Sequence, residues 1–157
     1  MSTIWTSLIA VAGTLAGVVT TSLVQRAARR ENLIETRRSD LVSAVSELVA
    51  ALAAHRRAMW VLEHRRLTLG ADERAHADAL AASHETRAAI TAPLVKVQIL
   101  APRLRDAAKA AETAAYALRN APDLDTLAQL REQALDTSDR LVAAAGGALA
   151  PLDRVRA

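Results

Sequence analysis

Imidazole is the group in this sequence with the widest chemical range, because it ligates metals, carries protons and changes charge near neutral pH. It occurs at His55, His64, His76 and His84. If the chain folds into an antiparallel helical hairpin turning at Gly70, His64 comes level with His76 and His55 with His84. Glu63 and Asp72 then lie near the first pair. A metal centre needs more than level pairs. H-E-x-x-H is missing, and no two histidines stand at i and i+4 on one helix face. The expectation is therefore solvated histidines, with His55 as a polar group inside an apolar seam, where one such residue can fix helix register.

Carboxylates are scattered over outward-facing positions, usually with an arginine nearby, and no acid pair is isolated in an apolar surround. Gly146-Gly147 is followed by alanine and lacks the lysine of a phosphate loop. There is no cysteine, which excludes disulfides, zinc-thiolate sites and thiol nucleophiles. These residues point away from an enzyme. They lead us to expect no metal, no cofactor and no small-molecule substrate.

The elements that would position any site are helical. Phenylalanine is absent and there is one tyrosine, so a core must come from Ala, Leu, Val and Ile. Between Gly17 and Gly70 there is neither glycine nor proline, which allows one long helix. Within it Leu41, Val45, Leu48, Leu52, His55, Met59 and Leu62 recur at steps of four and three, a seam of coiled-coil type. Arg56, Arg57, Glu63, Arg65 and Arg66 are assigned to the outer face.

Residues 69–73 read as a turn. A second long helix then carries Leu80, Ile90, Leu94, Val97, Leu104, Ala108, Ala111, Ala115 and Leu118 on its seam. Pro93 and Pro102 interrupt it, with a break expected at Pro93. The VKVQIL between the prolines is read as helix, because a lone strand would have no partner. A third helix follows Asn120-Ala121-Pro122, with Leu124, Leu127, Leu130, Ala134, Leu141 and Ala145 inward. Gly146-Gly147 is expected to stop it. The predicted fold class is all-α: an N-terminal transmembrane helix continuing into a long antiparallel hairpin or three-helix bundle.

The membrane expectation rests on Ile4 to Val24, 21 uncharged residues. In a helix they span roughly 31 Å, about the depth of a bilayer's hydrocarbon core. Arg26, Arg29, Arg30, Arg37 and Arg38 follow against Glu31 and Glu35, which equals the whole net charge of +3. Basic residues after a span keep that side in the cytoplasm, so the N-terminus is expected outside and the bundle inside. The same arginines would meet anionic lipid headgroups. With the rest of the chain charge-balanced, nucleic acid is not an expected partner. Gly13 and Gly17, extended by Thr21, form a small-residue row on which membrane helices can pack. The expected organisation is an anchor over 1–25, a basic segment over 26–40, a cytoplasmic bundle over 41–149 and a flexible tail over 150–157.

Three stretches carry a resemblance: SLIAVAGTLAG in the anchor, HRRAMW at 55–60 and TAPLVKVQILAP at 91–102. Together they resemble the KilB-type proteins of Streptomyces plasmids and related actinobacterial chromosomes, over most of the chain. The resemblance implies a membrane-associated protein concerned with conjugative plasmid spread along mycelium, and it transfers no catalytic residue. The expected function is thus a single-pass membrane protein whose bundle self-associates or docks other transfer proteins. Two other classes remain open on the residues: a holin-like or toxic membrane-perturbing protein, and a soluble helical oligomeric adaptor whose first helix is buried.

Overall fold

A computed structural model describes the backbone of residues 2–68 and 73–153 and the side chains of 29–68 and 73–150. The chain divides into two compact units, 1–37 and 38–157. Its helices are α1 (Ser2–Thr68), α2 (Glu73–Leu100), α3 (Arg105–Tyr116) and α4 (Leu124–Asp153), with a short 3₁₀ turn, Pro102–Leu104, before α3. The protein is all-α.

The first unit is helical in its backbone, within α1. Arg29, Arg30 and Arg37 are exposed there, as is Leu33. The expected anchor, with its Gly13, Gly17 and Thr21 row and with Arg26, lies outside the residues whose side chains are described. Among the described residues no helix is long and apolar enough to cross a membrane.

The second unit is a bundle of four helices with two core clusters. One joins Leu41–Leu52 of α1, Ile90–Val97 of α2, Ala108–Ala115 of α3 and Leu141–Ala148 of α4. The other joins Met59 and Leu62 of α1, Ala79 of α2, Leu118 and Ala121 of the α3–α4 loop, and Leu127 and Ala134 of α4. Sequence order alternates between the clusters, so successive helices run antiparallel. The α1 seam is buried throughout, from Leu41 to Leu62. Ala108, Ala111 and Ala115 give α3 a small-residue face, which suits a close approach to α4.

Several expectations are corrected. The bundle has four helices, because the chain breaks at Pro102 and not at Pro93. Ala101 is extended (φ −140°, ψ 79°), the conformation proline imposes on the residue before it. Pro93 instead sits buried inside α2. Losing one backbone bond there costs about 3 kcal/mol. Burial of Ile90, Leu94 and Val97 on the same face contributes about 1.5–3 kcal/mol each, so packing holds the helix together.

Gly146-Gly147 does not end α4, which runs on to Asp153 and into the segment expected as a tail. Ala148 beyond the pair is 2% exposed, and its burial favours continuation. The turn over 69–72 and residues 154–157 lie outside the described residues. Leu80 and Leu124, assigned to the seams, are exposed, whereas Ala79 and Ser83 occupy the inner row of α2. Glu63, assigned to the outer face, is 3% exposed.

Candidate functional site

The two apolar clusters meet at a polar layer centred on His55 (α1), Thr86 and Arg87 (α2) and Tyr116 (α3). His55 Nδ1 lies 3.1 Å from Thr86 Oγ1. The threonine hydroxyl donates its one proton to the Ala82 carbonyl at 2.8 Å or the Ser83 carbonyl at 3.1 Å. Toward histidine it therefore accepts, which assigns the proton of the neutral ring to Nδ1. The His55 ring meets Tyr116 edge-on, centroids 5.2 Å apart, and the Arg87 guanidinium lies 4.4 Å over the other aromatic ring.

Burial lowers the His55 pKa below its ordinary value and the Arg87 charge pushes the same way, against a hydrogen bond to the Ser83 backbone. Burial raises the Tyr116 phenol, with Glu112 adding to the shift. Beside this layer is a cavity of about 30 Å³, to which His84, Arg119 and Leu80 also contribute. That volume holds a water and excludes an organic substrate. His55 and His84 do share this cavity. His64 stacks instead on Trp60, with 5.9 Å between centroids. Among the described residues no group of His, Asp and Glu is placed to hold a metal ion.

A second polar cluster, missed by sequence reasoning, ties α1 to the loop between α3 and α4. Glu63 Oε1 accepts the Asn120 backbone N–H at 3.0 Å, and Oε2 accepts Arg66 Nε at 2.6 Å. Arg66 also donates to the Ala121 carbonyl. Asn120 has φ 59°, a left-handed conformation that asparagine tolerates better than most residues. The loop ends at Asp123, whose Oδ1 caps α4 by accepting the Thr126 N–H at 2.7 Å. This capping bond holds the Asp123 pKa below its usual value. The only local signal was the i, i+3 spacing of Glu63 and Arg66, since the loop partner lies 57 residues away.

On the α1–α4 side, Arg131 lies 5.4 Å over the Trp60 ring. Burial and the neighbouring Arg131 and Arg57 charges lower the Arg56 pKa. Arg103 donates to the Ala148 carbonyl at the opposite end of the bundle. Of the basic segment, Arg38 is half-buried.

Residues 42–149, the bundle itself, match the family model described as KilB plasmid transfer protein. The chain belongs to that family. It is 52% identical over 140 residues to Protein KilB of Streptomyces lividans, covering 89% of this chain and 95% of that relative. No solved structure matches the chain. The HRRAMW and TAPLVKVQILAP stretches of the resemblance lie within the family match. They contribute His55, Met59 and Trp60 of α1, and the segment from Pro93 in α2 to Pro102 at the start of the 3₁₀ turn.

Proposed function

We propose that this protein is a membrane-anchored helical scaffold acting in plasmid spread, holding a cytoplasmic bundle at the inner face of the cell membrane. The observation that carries the reading is the pairing of a family-matched bundle with a preceding 21-residue uncharged run and its arginine cluster. Charge placement supports an outside N-terminus. The arginines, three of them exposed, suit anionic headgroups at roughly 1 kcal/mol per basic residue near the surface. His55, Glu63, Arg66 and Arg103 bond to other elements of the bundle, and the cavity beside His55 is water-sized, which favours docking over turnover.

Alkaline carbonate extraction of membranes from cells making the full chain tests the anchor. The native chain is expected to remain in the pellet, and a Val11→Asp/Leu15→Asp variant to wash off. Equal release of both chains refutes the anchor. For the process, deletion of the gene is expected to shrink the zone of plasmid spread on a recipient lawn, and unchanged zones count against that role.

A further inference from the structure

The cavity beside His55 has a one-sided charge. Of its nine lining residues four are arginine or histidine, and none is acidic. Arg87 reaches it from α2 and Arg119 from the loop between α3 and α4. Both arginines are exposed, and among the described residues neither is ion-paired. The carboxylates of the neighbourhood are already committed. Glu63 accepts from Asn120 and Arg66, and Glu112, whose charge acts on Tyr116, is held by Lys109 at 2.5 Å. Two like charges brought to one cavity from different elements repel, and no acid in the lining offsets them. Met59 and Leu62 of α1 add apolar lining. A charge set against such residues is poorly hydrated, so its attraction to a guanidinium is stronger than in water.

We propose that this cavity binds one small anion of halide size, held by Arg87, Arg119 and His84. The two guanidinium groups supply charge-assisted hydrogen bonds, which are stronger than neutral ones. His84 adds a ring N–H donor from the same lining. The volume of about 30 Å³ sets the size of the ligand. A halide is little larger than the water molecule that fits there, whereas a tetrahedral phosphate or sulfate is too large. Once bound, the anion offsets the repulsion between the two arginines and ties α2 to the α3–α4 loop.

Chlorine NMR of the full chain in a non-ionic detergent reads binding directly, because a chloride ion held by the protein broadens the resonance. Ionic strength is kept constant with gluconate. The native chain is expected to give saturable broadening that bromide displaces and that sulfate or phosphate leaves in place. Arg87→Gln and Arg119→Gln should each weaken chloride binding by roughly tenfold or more, the loss of one charge-assisted bond. Arg105→Gln, at an exposed α3 residue outside the lining, should leave it unchanged. Circular dichroism checks that the three variants stay helical, and the anion competition needs no variant at all. Broadening that does not saturate would overturn the proposal. So would displacement by sulfate as readily as by bromide, or an equal loss in Arg105→Gln, either of which assigns the signal to a diffuse basic surface.

Discussion

Replacing Glu63 by alanine should release the loop between α3 and α4. Two losses add. The Asn120 N–H would lose its bond to the buried Glu63 carboxylate, at about 1–3 kcal/mol. The Arg66 pair would also go; the arginine side chain is 40% exposed, so solvent screening limits that part to about 1 kcal/mol or less. The expected destabilisation is therefore about 1–4 kcal/mol, below the full penalty for breaking a completely buried ion pair. Glu63→Gln keeps one oxygen for Asn120 and should lose roughly half as much, about 0.5–2 kcal/mol. Urea unfolding of the full chain, followed by circular dichroism, gives the size of the loss. Hydrogen exchange localises it: amides of residues 117–123 should exchange faster while those around Leu48 and Ile90 keep their relative protection. A Glu63→Ala chain within 0.5 kcal/mol of the parent would refute the reasoning, since a 3%-exposed carboxylate with two donors cannot then be bonded as described.

His55 makes the bundle sensitive to acid. Its folded pKa lies below the unfolded value near 6.5, so the unfolded chain takes up the proton more readily. Stability is then fully present above pH 6.5 and falls as the pH drops from there toward the folded pKa. His55→Leu should flatten that slope between pH 7 and 5 in denaturation curves, while Thr86 keeps its carbonyl bond; an unchanged slope would assign it to other groups. Gly146→Ala and Gly147→Ala should each stabilise α4 by about 0.5–1 kcal/mol, because a Cβ at either position meets nothing within 4 Å. A loss in thermal melts would place those residues outside a regular helix. Asn120→Ala should cost about 1–2 kcal/mol for the left-handed backbone, whereas Asn120→Gly should be nearly neutral, and the two melting temperatures compared directly check the conformation.

Helical class and the α1 seam were legible in the chain itself. Leu41, Val45, Leu48, Leu52, His55, Met59 and Leu62 follow a 3.5-residue period, and the side-chain direction of a helix converts such spacing into one face without reference to any other element. The coarse antiparallel arrangement was legible too, from short connections between long apolar rows. Where α2 faces inward was less so: Leu80 fits the period on paper, yet Ala79 and Ser83 take the buried row, because facing helices select the ridge that interdigitates.

The two prolines and the glycine pair mark the boundary between local and tertiary control. Local rules let either proline break a helix, with the break expected at Pro93, and gave Gly146-Gly147 the power to end one. Tertiary burial decided among them: Ile90, Leu94 and Val97 carry α2 through Pro93, and Ala148 favours continuation of α4 past its glycines. Glu63 shows the same division. Its spacing from Arg66 fits an outer-face ion pair, and only the folded loop brings the Asn120 amide onto it from 57 residues away. Period and propensity act within a turn or two of the chain, so the sequence alone determined which segments are helical and which face of α1 is apolar. Which breaks are real, which acid is buried and which apolar row remains outside depend on groups distant in sequence, and only the packed bundle decided those.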